Sequence, residues 1–446
     1  MPDTPTDADV LVIGAGLAGL GAATMLRRLG VGSIVLEAGD RIGGRAWTTQ
    51  PEQLGGVWFD MGAVWLHSAE HNPLVTIARD AGDPLLRSDE LRRERLFVGT
   101  REATPAEYAD YREAWTRYET TTDALLSALP GGPQAGAPLA DAPLAAVADH
   151  LPGDPWALTV EAWEGPVICV AEPEDFSLRD WRRNALEGSN LVPQGGIGAF
   201  VERRLGAGLD IRRNMPVTRL RWNGPGGRVS VDTAGGTLTA RAAIVTASTG
   251  VLASGAIAFD PPLPFEVGQC LDAMPMGLAM KVALRAAGPD RLDLPLHCSV
   301  ERQVTRRGDR LVPFQCWPYG RDYVQGWIGG AVAWDLARAG DEAAVDFALE
   351  RLRTIFGGRV DTLFQGGRHL VTHWEADPFV RGAYSWVKVG EADARTRLGQ
   401  PFGDGHLLFA GEACHDGLAG TLAGAWLSGR QAAETAVAAL RRNGAG

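Results

Sequence analysis

Lysine is nearly absent from this 446-residue chain: of 43 basic residues, only Lys281 and Lys388 are lysines. Arginine stays charged wherever it sits, whereas a buried lysine shifts its pKa. A chain with this habit keeps lysine where a guanidinium will not serve. Cysteine is scarce too. The five thiols (Cys169, Cys270, Cys298, Cys316, Cys414) are scattered, odd in number and without CxxC spacing. That argues against a disulfide framework or a zinc site and points to a reducing cytoplasm. No apolar run approaches the length of a membrane span. The acidic start, MPDTPTDAD, shows no basic n-region or apolar h-region, so no secretory signal is expected. Positive charge is also in deficit, with a formal net charge of −11. That argues against a nucleic-acid partner and mildly favours a cationic small molecule. The length suits about two domains.

What the chain does have is a dense amino-terminal block, Val10 to Arg45. Val10-Leu11-Val12-Ile13 is an unbroken apolar run, as in a parallel strand covered on both faces. Gly14-Ala15-Gly16-Leu17-Ala18-Gly19 follows. Gly14 permits the tight turn, Gly16 lets the backbone approach a pyrophosphate, and Gly19 lets the next helix pack on the strand. A helix is expected from Leu17 to about Leu29, its N-terminal amides suited to a diphosphate. A second strand, Ser33 to Leu36, ends on Glu37, whose carboxylate can accept both hydroxyl protons of an adenosine ribose. Strand, glycine turn, helix, strand and acid together indicate a dinucleotide site.

Asp40-Arg41-Ile42-Gly43-Gly44-Arg45 comes next, and a nicotinamide enzyme does not need it. This second glycine pair with its arginine resembles the fingerprint of flavin-dependent amine oxidases, a family that includes monoamine and polyamine oxidases and flavin histone demethylases. Three further blocks carry the same resemblance in the same order: residues 57–67, 277–284 and 372–426. It implies FAD, with Arg45 neutralising the pyrophosphate. Gly62, Ala63 and Val64 would pass close to the flavin ring, with Trp65 and His67 facing the substrate. Val217 would touch the adenine. Gly411 and Glu412 would lie near the ribityl chain, and Thr421 and Leu422 at a helix N-terminus aimed at flavin N1 and O2. Lys281 would hold a water near flavin N5 and assist reaction with oxygen, beside Trp374 and Tyr384. Gly39 and Ser248 depart from the family pattern, and Thr421 stands where monoamine oxidases carry a second tyrosine, as in polyamine-oxidase and histone-demethylase relatives. Ala383 stands where monoamine oxidases carry the cysteine that bonds to flavin, so the FAD is expected to be noncovalent.

The residues themselves leave some readings open. Lys281 alternates in a strand with Ala279 and Ala283 and opposes Leu278, Met280, Val282 and Leu284; it is either a cavity lysine or an edge-strand lysine facing water. His67 is either a cavity group or a satisfied loop histidine. The aromatics at 314, 317, 319, 323, 327 and 334 either line an amine cavity or are core. Gly424 and Gly429, inside the last helix, are read as allowing close approach to the cofactor. Pro130 to Pro138 reads as a surface loop, and Asn223 to Gly227 as a turn.

The implied fold is α/β: a discontinuous Rossmann-type FAD-binding domain (1–75, 195–255, 400–446) with a mixed α+β substrate domain (76–194, 256–399), an amine oxidase or glutathione reductase-2-like arrangement. The implied activity is hydride transfer from the carbon beside an amine nitrogen to flavin N5, with O2 reoxidation giving hydrogen peroxide and an imine that hydrolyses. The expected partners are a small-molecule amine and O2, with no metal, nucleic acid or membrane, in a monomer or homodimer. Rivals of the same fold are an L-amino acid oxidase, which needs an arginine such as Arg381 or Arg321 for the carboxylate, and a desaturase. A flavoprotein that binds a partner without turnover is a third.

Overall fold

A computed structural model describes residues 6–130, 140–224 and 227–443. Most of the expected loop at 130–138 and the middle of the expected turn at 223–227 lie outside them. The apolar run becomes the central strand of a five-stranded parallel sheet, in the order Leu407–Phe409, Ala242–Val245, Val10–Ile13, Ser33–Leu36, Ile211–Arg212. Alternate residues explain why it carries no polar side chain. Val10 and Val12 pack beneath the first helix, Leu17–Arg28, and the last, Leu422–Asn443. Leu11 and Ile13 pack on the other face, against Leu220, Val229 and Val231 of a four-stranded sheet. Ala258–Asp260, expected in the second unit, joins that four-stranded sheet beside Val217–Gly224.

The first and last helices cross at contact distance. A Cβ on Gly429 would overlap the Ala18 carbonyl oxygen, and one on Gly424 the Leu418 carbonyl oxygen. The two glycines therefore serve chain-on-chain packing, which corrects the expectation that they make room for the cofactor.

The second unit is built on a seven-stranded mixed sheet: His369–Val371, Ala279–Arg285, Tyr323–Gly329, Phe314–Cys316, Cys298–Arg302, Arg93–Val98, Arg101–Glu102. Met280, Val282, Leu284, Val324 and Ile328 bury one face under the helices Ala331–Ala339 and Asp341–Phe356. The opposite face is left for the site. Over it lies the helix Pro105–Ala128, which starts at a capping box between Thr104 and Glu107. All five cysteines are free thiols. Among the described residues, no helix is long and apolar enough to cross a membrane, and no cluster of metal-ligating side chains is present.

Candidate active site

A cavity of about 1360 Å³ opens at the carboxyl ends of the parallel strands and continues across the free face of the seven-stranded sheet. At its first end the chain turns at Gly14, whose φ of +103° favours glycine. A side chain on Gly19 would strike the Gly14 carbonyl oxygen. Gly16 differs: its backbone is ordinary (φ −69°) and a Cβ there would meet nothing within 4 Å. The space beside it belongs to the cavity, which is the cradle a diphosphate requires. Glu37 accepts hydrogen bonds from the amides of Ala15 (2.7 Å) and Gly39 (2.8 Å), one on each oxygen. Each oxygen keeps a second lone pair for a ribose hydroxyl. Gly39, in place of a basic residue, thus contributes its amide to fixing the acid. Val217 lines this part of the cavity.

Arg45 donates to the Ala383 carbonyl (2.6 Å) and to Glu412 (3.0 Å). Glu412 is 4 % exposed and also accepts from Ser385 N, Ser385 Oγ and Gly420 N. Both of its oxygens are engaged by the protein, so it holds Arg45 and the loop before the last helix in place. Gly411 lines the cavity beside it, its amide donating to Ser428 Oγ. Thr421 Oγ accepts from Gly424 N at 2.9 Å and so caps the last helix, placing Leu422 at the cavity wall. Arg41 lines the cavity as well, its guanidinium 4.7 Å from the Trp47 ring centre. The sequence reading gave it no role. The signal was its spacing, since two arginines bracket the glycine pair.

At the far end of this crevice a group of side chains converges. Lys281 sits on a strand with neighbours on both sides and is 2 % exposed, which overturns the edge-strand alternative. Its Nζ donates to the carbonyls of Asp60 (2.6 Å) and Gly62 (2.5 Å) and lies 5.0 Å from the Trp327 ring centre. Burial pulls its pKa down to about 7 against the pull of Asp60. Burial in turn pushes the Asp60 carboxyl up to about 6, and its Oδ2 has no protein partner. Trp374 donates to the Met61 carbonyl at 3.0 Å. Gly62 is wedged between the Arg45 carbonyl and Trp374. Gly62, Ala63, Val64, Trp374 and Tyr384 all line the cavity with Lys281.

Beyond them the cavity becomes an aromatic chamber. Trp65 lies 6.0 Å from both Trp327 and His67 and donates to Ser88. His67 pairs with Asn190 at 2.6 Å, and burial lowers its pKa, favouring the neutral imidazole. It is both satisfied and cavity-facing. Tyr384 is anchored by a hydrogen bond to the Ile168 carbonyl at 2.7 Å. Of the aromatics left open, Trp327 faces the chamber, whereas Phe314 packs into the core on the other face of the sheet and Trp317 and Tyr323 are buried away from the cavity. Arg321 does not line it either; its guanidinium stacks 3.5 Å from the Trp58 ring centre. Arg381 is at the cavity wall. Two acids that carried no motif also face the chamber, Glu164 and Glu301. Burial pushes both carboxyls up to about 7.

Apart from Gly19, which acts through packing, every residue expected to hold the cofactor or substrate lines this one space. The arrangement is that of a dinucleotide-dependent oxidoreductase: a Rossmann crevice for the nucleotide, continuing at its ring end into an aromatic chamber. The chain belongs to the flavin-containing amine oxidoreductases, whose family model matches residues 17–437. FAD is therefore its cofactor. The chain is 26% identical to human lysine-specific histone demethylase 2 over 98% of its own length and 54% of that protein. It thus spans about half the length of this curated relative. It is 29% identical to probable polyamine oxidase 4 of Arabidopsis thaliana, over 95% of this chain and 86% of the relative. The fold is also that of a putrescine oxidase solved with putrescine bound (TM-score 0.76, 19% identity, covering 97% of this chain and 99% of the other).

Proposed function

We propose that this chain oxidises an aliphatic amine, of polyamine type, at the carbon beside a nitrogen. FAD, when bound, would supply the two-electron acceptor for the hydride leaving that carbon, with O2 as terminal oxidant; the products would be hydrogen peroxide and an imine that water hydrolyses. Gly14, Gly16, Glu37, Arg41 and Arg45 would hold the nucleotide half, and Gly62 to Val64 with Trp374 would hold the ring end. Tyr384 and Trp65 orient the amine between aromatic surfaces, which attract a cation but also exclude water. Lys281, its pKa drawn down to about 7 by burial, can exchange a proton near neutrality and is placed to deliver it through water at the ring end. Ala383 offers no nucleophile, so the FAD is held noncovalently.

The observation that carries this reading is that Lys281 and Trp374 converge on Gly62 and line, with Tyr384, the same cavity that starts at Gly16. Of the two arginines that could meet an amino-acid carboxylate, Arg321 lies outside that cavity and Arg381 lines its wall, so Arg381 is the one such a substrate would use. The test is direct. The purified protein should be yellow, release FAD on denaturation and form peroxide with polyamines. A yellow protein that yields no peroxide with any amine or amino acid would point instead to a desaturase or to a binding role.

A further inference from the structure

Deepening the amine-oxidation reading, on which it rests, we propose that Glu301 is a specificity-determining residue that binds the distal ammonium of the substrate and sets its length to that of a triamine rather than a short diamine.

Strand register carries the argument. Lys281 pairs with Trp327, and the Trp327 amide bonds to the Pro313 carbonyl. Val300 pairs with Phe314, which sets Glu301 opposite Pro313. Directly opposed residues share a face, so Lys281, Trp327, Pro313 and Glu301 form one transverse row along the cavity floor, and all four line it.

Glu301 is built to hold a charge and has none to pair with. It is 8 % exposed, and its Oε2 accepts from Tyr111 OH (3.1 Å) and Trp163 Nε1. Both donors come from the wall facing the sheet. No basic side chain forms an ion pair with it among the described residues. A buried carboxylate without a cation is costly, and its raised pKa expresses that cost. An ammonium seated against the open Oε1, with Trp163 beside it, resolves it.

The row also measures distance. Adjacent strands lie about 4.8 Å apart, so the three steps from Lys281 to Glu301 span about 14 Å. One hydrogen bond to the carboxylate takes about 3 Å, leaving about 11 Å between the Lys281 end and the distal nitrogen. An extended chain advances about 3.5 Å per three bonds. A four-carbon diamine therefore covers about 6 Å, and a triamine with nine bonds between its end nitrogens about 10 to 11 Å. Gln315 and Gln325, on the two intervening strands, face the same cavity and offer acceptors to the middle of such a chain.

Steady-state kinetics of the FAD-loaded enzyme with a monoamine, a four-carbon diamine and a triamine test this. In Glu301→Gln, kcat/KM for the triamine should fall by about two orders of magnitude relative to that for the monoamine, chiefly through KM. In Glu301→Gln/Gln315→Glu the carboxylate moves one strand closer to Lys281, and preference should shift toward the diamine. Flavin absorbance and the unfolding temperature verify that each variant is folded. Equal losses on all three amines, a length effect produced by Glu164→Gln instead, or no shift in the double variant overturns the role of Glu301 while leaving amine oxidation standing. Wild-type protein inert toward every amine overturns both.

Discussion

Lys281 and Arg395 are both 2 % exposed, yet the fold surrounds them differently. Arg395 meets Asp180 through two parallel bonds of 2.8 and 3.0 Å, and Asp180 is as deeply buried. Burial alone would lower the Arg395 pKa, but the Asp180 charge and bonds reverse that and leave it raised. Lys281 has only the neutral carbonyls of Asp60 and Gly62 to donate to, so burial dominates and its pKa falls to about 7. Whether a carboxylate is in contact decides what a buried cation can do. With one, the charge is fixed and ties distant segments together; without one, the group exchanges a proton near neutrality. A chain that uses arginine for nearly every cation can keep a titratable one only as lysine.

The sharpest way to break this comparison is to remove the partner that only Arg395 has. Asp180→Asn leaves an uncompensated buried guanidinium and should cost about 3–5 kcal/mol, measured by denaturant unfolding of the FAD-loaded protein. Asp180→Leu/Arg395→Met, which removes both charges, should recover most of it. A loss as large in the double variant as in the single one would mean that packing, not charge, holds this site. Lys281→Met should behave in the opposite way. It removes a buried amine without orphaning a charge, so stability should hold. Rapid mixing of the reduced enzyme with oxygen should show reoxidation slower by about 100-fold, with reduction by amine affected less. Unchanged aerobic turnover would remove the lysine from the oxidative half.

Titration separates the two cations further. Lys281 is neutral in the folded chain above about pH 7 but charged in the unfolded chain up to its ordinary 10.5. In that window the unfolded state binds the extra proton, so stability should rise as pH increases from 7 toward 10.5. Asp60, raised from 3.8 to about 6, has the opposite sign, with stability falling as pH rises between those values. Unfolding curves at stepped pH should show the upper slope reduced in Lys281→Met and retained in Asp180→Asn.

How much of this the sequence revealed follows the same division. The nucleotide crevice was legible because its chemistry lies in consecutive residues: Gly14, Gly16, Gly19, Glu37 and Arg45 act from one strand–helix–strand unit at fixed spacing. The chamber was not, because strand pairing assembles it. Nothing local marks Glu301 as lying three strands from Lys281. Asp60 sits in a quoted segment, yet its burial beside Lys281 depends on a turn that only the fold shows. Lys281 itself was found through composition and resemblance, and only its place on an interior strand removes the edge-strand alternative. The last-helix glycines were misread because helix-on-helix and cofactor contact both select small residues, and sequence does not say which neighbour is near.

The smallest effect expected concerns the link between the Arg395 pair and the cofactor crevice. Arg395 Nη1 donates to Ser385 Oγ at 2.9 Å, and Ser385 Oγ donates to Glu412 at 2.8 Å. Glu412 in turn holds Arg45. Ser385 thus joins a pair that stabilises the fold to the arginine assigned to the diphosphate. Ser385→Ala removes two hydrogen bonds but keeps the Ser385 amide bond to Glu412. The cost should be about 1 kcal/mol, and the Kd for FAD, measured by titrating the apoprotein, should weaken only a few-fold. If the variant loses that stability but binds FAD as tightly as wild type, the Arg395 pair and the crevice are energetically separate. If FAD binding weakens as much as when Arg45 itself is replaced, the serine is the main support of that arginine and Glu412 is not.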